Sequence, residues 1–332
     1  MTGTGETMRA WRGLLFLLLS AATGLFCTDS AFAQTYPSRP IKIVVPFPPG
    51  GPTDVMARLI VQAMSSRLGQ SVIIENQSGA GGRSGSKAVA GAAPDGYTLL
   101  VGGTNMNAII PALYHNLGYD PVKGFAAVAS IASDAGVMVA GPSTTAATLL
   151  EFIRYAKDNP GKLKYGTAPG LGSHLSAELL KQKTATDIMY IPYKGGAPAI
   201  TDLMGGQIDM VFNNKSVLLA LIQERKLRAL GVTSAVRWRE LPDVPTLAEN
   251  GLDGFPADSW YGLVAPVGTP AAVIDKLNAA VNDGLNSPEL RASLTKLGIE
   301  ARANTPQKFA EALADQAVKY DAIVKSTGIK VE

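Results

Sequence analysis

Two glycine-rich loops hold the residues whose types and spacing could bind a charged guest. The first is Pro46-Phe47-Pro48-Pro49-Gly50-Gly51-Pro52-Thr53-Asp54, which follows the β-branched run Ile41-Lys42-Ile43-Val44-Val45 and precedes an apolar-periodic stretch with Val55, Leu59, Ile60, Ala63 and Met64. That order reads as strand, loop, helix. The second loop, 167–174, contains Thr167, Gly170, Gly172, Ser173 and His174 between another expected strand and helix. Glycine in such a turn lets the main chain approach a ligand, and the following helix aims unpaired N–H groups and its positive dipole end at the same spot. The favoured guest is an anion. Neither loop contains Lys or Arg. A carboxylate there would be held by amides and hydroxyls instead of full countercharge, which suits reversible capture.

Other candidates lie at comparable strand ends: Gly81 within Gly79-Ala80-Gly81-Gly82, Thr104 and Asn105 after Gly102-Gly103, and Asn213 beside Asn214. Ligands of open α/β sheets bind at such carboxyl ends. Plainer readings stand beside each. A glycine can serve its turn alone, Asp54 fits as a first-turn helix residue favoured by the dipole, and His174 can cap or pack. Asn213 and Asn214 could hydrogen-bond a ligand or make the turn. Trp260 and Tyr261 read first as hinge or core aromatics. The loops gain weight together.

Catalytic signatures are missing. Gly82-Arg83-Ser84-Gly85-Ser86 breaks the nucleophile-elbow pattern at its last position, Gly79-Ala80-Gly81-Gly82-Arg83-Ser84 lacks the final glycine of a dinucleotide loop, and no Walker A sequence occurs. The two histidines, His115 and His174, are far apart, and the single cysteine, Cys27, lies in the leader described below. No metal site and no cofactor are expected.

Positioning these loops requires alternating strands and helices. Strands are expected over 71–75, 97–101, 164–166, 188–191, 208–212 and 229–233, and helices over 149–158, 172–183 and 197–205. Helices starting at Thr269-Pro270 and Thr305-Pro306 run to Leu285 and about Lys325. This alternation predicts mostly parallel sheets covered on both faces. Extended segments over 131–140 and 259–265 predict a chain that crosses to a second lobe and returns, making a two-strand hinge. No internal sequence repeat is visible.

At the N-terminus, Arg9 and Arg12 precede the apolar run 14–19, and Ala31-Phe32-Ala33 offers small residues at both cleavage-recognition positions. A secretory signal peptide over 1–33 is expected, and with it a periplasmic location. Lipidation of Cys27 is the rival, disfavoured by the bulk of Phe26 immediately before it. The 332 residues carry 30 Lys and Arg against 27 Asp and Glu, a net charge of +3 without a basic domain. Nucleic acid is not an expected partner.

Several ordered segments match one family. They are Tyr36-Pro37-Ser38-Arg39-Pro40-Ile41, the 46–54 loop, Glu75-Asn76-Gln77-Ser78-Gly79-Ala80-Gly81-Gly82, Pro94-Asp95-Gly96-Tyr97-Thr98-Leu99, Ile191-Pro192-Tyr193-Lys194-Gly195-Gly196-Ala197-Pro198 with Asp202, Leu241-Pro242-Asp243-Val244-Pro245-Thr246, and Trp260-Tyr261-Gly262-Leu263-Val264-Ala265-Pro266. Over essentially the whole mature length the chain resembles the substrate-binding proteins of tripartite tricarboxylate transporters, the Bug receptors. The resemblance implies a Venus-flytrap fold, with lobe 1 over 36–136 plus 263–332 and lobe 2 over 137–262. It implies a ligand carboxylate gripped by main-chain amides and ordered water from Phe47 to Thr53, opposed by loop 167–174, and it adds Tyr193, Gly195 and Gly196 as ligand-binding candidates. It further implies a monomeric, non-enzymatic receptor delivering a small organic acid to membrane permease subunits. An orphan ligand sensor is the alternative, and an enzyme on the same fold is disfavoured by the missing signatures. One departure is Gly172-Ser173-His174-Leu175, where the family often places a spacer residue, so the second-lobe half of the pocket is expected to differ in shape.

Overall fold

Ile41, Ile43, Val44 and Val45 are all buried, so strand β1 (Ile41–Val45) needs cover on both faces and neighbours at both edges. β2 (Val72–Asn76) and β3 (Thr98–Gly103) flank it, both parallel. Parallel neighbours require crossovers. Helix α1 (Pro52–Leu68) supplies the first; Pro52 suits its first turn, and Gly69, at φ 65°, closes it by donating its N–H to the Ser65 carbonyl. α2 (Arg83–Ala90) supplies the second. The computed structural model describes residues 36–114, 116–256 and 258–328. The expected leader, its cleavage site, Cys27 and His115 lie outside the described residues.

After a π-helical turn (Asn105–Ile109) and the short α3 (Ile110–Leu113), the chain enters β4 (Phe125–Ala140), a 16-residue strand that serves two sheets. Its first part, Phe125 to Ala135, pairs antiparallel with β9 (Asp258–Pro266), which is itself antiparallel to β3. From Gly136 to Ala140 it pairs antiparallel with β7 (Met210–Asn214), and from Val137 to Ala140 also with β8 (Arg228–Val232). β5 (Lys164–Thr167) lies parallel between β7 and β6 (Met189–Pro192). The orders are β2-β1-β3-β9-β4 in one lobe and β6-β5-β7-β4-β8 in the other. Each has three parallel strands, one reversed strand and a fifth restored to the original direction. The topology repeats although the sequence does not.

In the second lobe α4 (Leu149–Asp158), α5 (Gly172–Thr184), α6 (Gly196–Met204) and α7 (Lys215–Gln223) cover the sheet. Alternate residues of β4 bury on opposite faces, as the two-residue pleat requires. Met138 and Ala140 join Phe152, Tyr165 and Phe212, whereas Val137 and Val139 join Leu203, Val211 and Trp238. The C-terminal α8 (Ala271–Leu285), α9 (Pro288–Lys296) and α10 (Pro306–Thr327) return to the first lobe, where Phe309 packs with Val44, Leu100 and Val264. A two-residue strand, β10 (Glu300–Ala301), pairs with β4. None of the helices among the described residues is long and apolar enough to cross a membrane.

Three helices go beyond the sequence expectations, the single-turn α3 and the longer α7 and α9. α7 begins directly at the end of β7, so no loop residues announce it. α9 carries Ser287 as its cap, accepting from the Leu290 N–H, before Pro288. That Ser-Pro start is the same kind of signal as Thr305-Pro306.

Gly262 marks where β9 and α10 pack most closely: a Cβ there would press on the Phe309 ring and lie 2.5 Å from the Ala129 carbonyl oxygen. Gly262→Ala is expected to lower stability by about 1–2 kcal/mol through overpacking, measured as a reduced urea midpoint at unchanged m-value.

Candidate functional site

The two lobes meet over a small internal cavity of about 40 Å³, lined by Phe47, Gly51, Pro52, Thr53, Asn105, Leu171, Gly172, Ser173, Gly196, Asn213, Asn214, Ser259 and Tyr261. An adjoining space of about 30 Å³ shares Gly172, Ser173, Asn213, Asn214 and Ser259 and extends to Asp258 and Thr233. The main cavity's lining includes no ionisable side chain except the Tyr261 phenol. Burial, together with the nearby Asp134 carboxylate, raises that phenol's pKa well above its usual value. The chamber is neutral.

Its electrostatics come from helix starts. Gly51 precedes α1, Leu171 precedes α5, Gly195 precedes α6 and Asn214 precedes α7; none of the four starts has a side-chain cap. Side-chain caps among the described helices occur at Thr148, Ser287 and Thr305, on α4, α9 and α10, away from the cavity. Apart from the Gly172 N–H of α5, which donates to Asn105 Oδ1, and the Ser216 N–H of α7, which donates to Asp134 Oδ1, the cavity-side helices keep first-turn N–H donors and positive dipole ends directed at one neutral space.

Asp54 organises the first loop from behind. Its carboxylate accepts from the Gly50 N–H at 3.0 Å, from Asn76 Nδ2 at 3.0 Å and from Arg58 Nε at 2.7 Å. Burial would raise its pKa, but these bonds from Arg58, Gly50 and Asn76 outweigh burial and hold it below the usual carboxylate value. Asn76 also donates to the Phe47 carbonyl at 3.0 Å, tying the end of β2 to the same loop. Asp54 positions the loop and does not line the cavity.

Opposite, Ser173 Oγ and Thr167 Oγ1 are 2.5 Å apart, and Asn105 Oδ1 accepts from the Gly172 N–H at 2.9 Å across the lobe boundary. His174 points into the second lobe, stacked on Tyr190 with centroids 4.5 Å apart, and its Nδ1 accepts from the Gly170 N–H at 3.3 Å. Burial is the main cause lowering its pKa, with Glu178 pulling the other way. A neutral ring packed this way is a strut for the loop.

Of the residues singled out in the sequence, Phe47, Gly51, Thr53, Asn105, Gly172, Ser173, Gly196 and Asn213 share the main cavity. The others fall around it. Pro49 and Gly50 are exposed at the loop tip. A Cβ on Gly81 would lie 2.7 Å from the Pro169 carbonyl, one on Gly195 2.8 Å from Pro48, and one on Gly170 3.0 Å from the Tyr114 ring, so all three glycines allow the lobes to touch. Thr104 Oγ1 accepts from the Trp260 N–H at 2.9 Å, joining β3 to β9, and Tyr193 donates to Asp202 at 2.7 Å. Ser259 lines the cavity with no sequence expectation for it, and Tyr261 lines it as well as sitting in the hinge strand. Their i, i+2 spacing on an expected strand places them on one face, which is the signal that could have found them.

The sequence from 56 to 329 matches the family model for the tripartite tricarboxylate transporter family receptor. Protein BugT of Bordetella pertussis is 35% identical over 321 residues, covering 95% of this chain and 98% of that protein. The structure of an R. palustris protein with adipate has 34% identity and a TM-score of 0.85, covering 89% of this chain and 99% of that one. MatC from Rhodopseudomonas palustris with bound malate has 35% identity and a TM-score of 0.83, covering 87% and 100%. The fold is therefore the two-lobed periplasmic-binding-protein fold, and this chain belongs to the tripartite tricarboxylate transporter receptor family, the Bug family of periplasmic solute-binding receptors.

Proposed function

We propose that this protein captures a small organic acid between its lobes by seating one carboxylate on the uncapped start of α1, at Gly51 to Thr53, with α5, α6 and α7 closing on the rest of the molecule. The carrying observation is the convergence of four uncapped helix starts on a cavity without a basic side chain. The acids bound by relatives, adipate and malate, support the same chemistry. A cavity of about 40 Å³ has room for about one water. Ligand capture therefore requires the lobes, 36–136 with 263–332 and 137–262, to part about the two crossings and close again.

The residues proposed to touch ligand are those lining the cavity; Pro49, Gly50, Asp54, Gly81, Thr104, Thr167, Gly170, His174, Tyr193 and Gly195 support them. Export through cleavage after Ala33 would deliver the receptor to the periplasm, and permease subunits of a tripartite transporter would receive the cargo. No catalytic residue, metal or cofactor belongs to this reading.

With no Lys or Arg in the chamber, a third buried carboxylate would lack a fixed partner. A thermal-shift screen over mono-, di- and tricarboxylates and aromatic acids should show stabilisation by an acid with one deeply held carboxylate. The gain is about 2.7 kcal/mol at about 100 times its dissociation constant. Stabilisation by citrate alone would contradict this.

A further inference from the structure

Where β4 passes from one sheet to the other, Asp134 is 1% exposed and has a buried Oδ2 without a hydrogen-bond partner. The Ser216 Oγ on α7 is likewise buried and unpartnered. Asp134 belongs to the first-lobe part of β4, opposite Ser259, but it is bonded to the second lobe. Its Oδ1 accepts from the Ser216 N–H at 3.3 Å, and its main-chain oxygen accepts from Asn214 Nδ2 at 2.9 Å. Asn214 Oδ1 in turn accepts from the Tyr261 hydroxyl at 3.3 Å, and both of those residues line the cavity. Asp134 thus joins the crossing strand to the start of α7 through its carboxyl and to the cavity wall through its main-chain oxygen.

We propose that Asp134 is a positioning residue whose buried carboxyl takes up a proton as the lobes close, making ligand capture proton-linked. This rests on the carboxylate-capture reading above. A lone unpaired carboxylate oxygen is costly to bury, whereas a protonated carboxyl is neutral. Opening moves the start of α7 away with the second lobe and lets water reach the group. The other charged and titratable groups around it are Lys215 on α7, Asp258 and Tyr261 on β9, and, one layer out, Arg302. Lys215 is already paired with Glu240 at 2.7 Å, and Arg302 with Glu300 at 3.1 Å. Burial pushes Asp134 up to about 7 in the closed form; Ser216 and Lys215 oppose this, and Asp258 adds to it.

The direction follows from the closed state binding the proton more tightly than the open one. Lowering the pH through 7 favours closure, and raising it disfavours closure. Between pH 8.5 and 6.0, where ligand carboxylates of ordinary pKa stay ionised, affinity for adipate or malate should tighten about ten-fold. His174, held below its usual value by burial, remains neutral over most of that window.

The test is isothermal titration of both acids against the full mature protein at several pH values. Asp134→Asn, which keeps the Oδ1 acceptor and supplies a permanent donor, should bind tightly at every pH. Ser216→Ala removes a group that holds the carboxyl down and should move the midpoint of the wild-type profile upward, a readout that survives if the asparagine variant fails to fold. Wild-type binding with flat affinity across the window would overturn the role of Asp134 while leaving carboxylate capture intact. Failure of both acids to bind at any pH would remove the capture reading and this inference with it.

Discussion

Gly51→Val should abolish the ligand-induced thermal shift, with at least a hundred-fold loss of affinity and little change in the unliganded melting temperature. Gly51 is at φ −81°, an ordinary conformation for any residue, and a Cβ there meets nothing closer than the Pro48 carbonyl oxygen at 3.7 Å. The backbone therefore tolerates a side chain, and exchanging glycine at a helix cap costs no more than about 1 kcal/mol. The added atoms, however, enter a cavity of about 40 Å³ at the start of α1. They cover the N–H donors and occupy the place of the carboxylate. A folded variant that still binds with wild-type affinity would show that the loop is only a turn.

Asp54→Ala should cost about 2–3 kcal/mol of stability and weaken binding as well, because it unties the loop rather than filling it. The variant loses bonds from Gly50, Asn76 and Arg58. Arg58 is 56% exposed on its side chain and Gly50 lies at the exposed loop tip, so both can bond water, while Asn76 keeps its bond to the Phe47 carbonyl; the cost comes from the buried hole and from the second Asn76 N–H, which loses its acceptor. The same group gives the wild type a pH signature. Since the folded form holds the Asp54 pKa below the ordinary value, its contribution is present above the unfolded pKa of about 3.9 and is lost as pH falls through the folded one. Urea midpoints of wild type and Asp54→Ala should draw together as pH falls below the unfolded pKa and through the lower folded one. A constant difference across pH would assign the loss to packing instead.

Much of this architecture is written locally. The β-branched run at 41–45, Asp54 in the first turn of α1 and the Thr305-Pro306 start of α10 each carry their own signal, and the structure reproduces them within a residue or two. The loop at Gly51 to Thr53 is equally legible as the join between a strand and a helix, although glycine there also serves the turn itself. Other features depend on partners distant in sequence. The extended segment over 131–140 marks a crossing between lobes, but that it belongs to one 16-residue strand supplying two sheets could not be read from it, since pairing with β7, β8 and β9 is decided by segments far along the chain. Ser259 gives no compositional hint of its place; it reaches the cavity because β9 is threaded between β3 and β4. Asp54 and His174 were noticed for their chemistry, and the structure gives both a supporting position, where burial and neighbouring polar groups settle their charge.

The neutral cradle at the head of α1 has an evolutionary consequence. Outside the loop itself and its Asp54 support, recognition through main-chain N–H groups is insulated from point mutation, because most substitutions leave an amide where it was. The grip on the carboxylate can persist while Ser173, Asn213, Asn214 and Ser259 drift, and drift at those positions alters the shape offered to the remainder of the guest. Such a receptor can be duplicated and retuned toward new cargoes one side chain at a time, without passing through an ancestor that binds nothing.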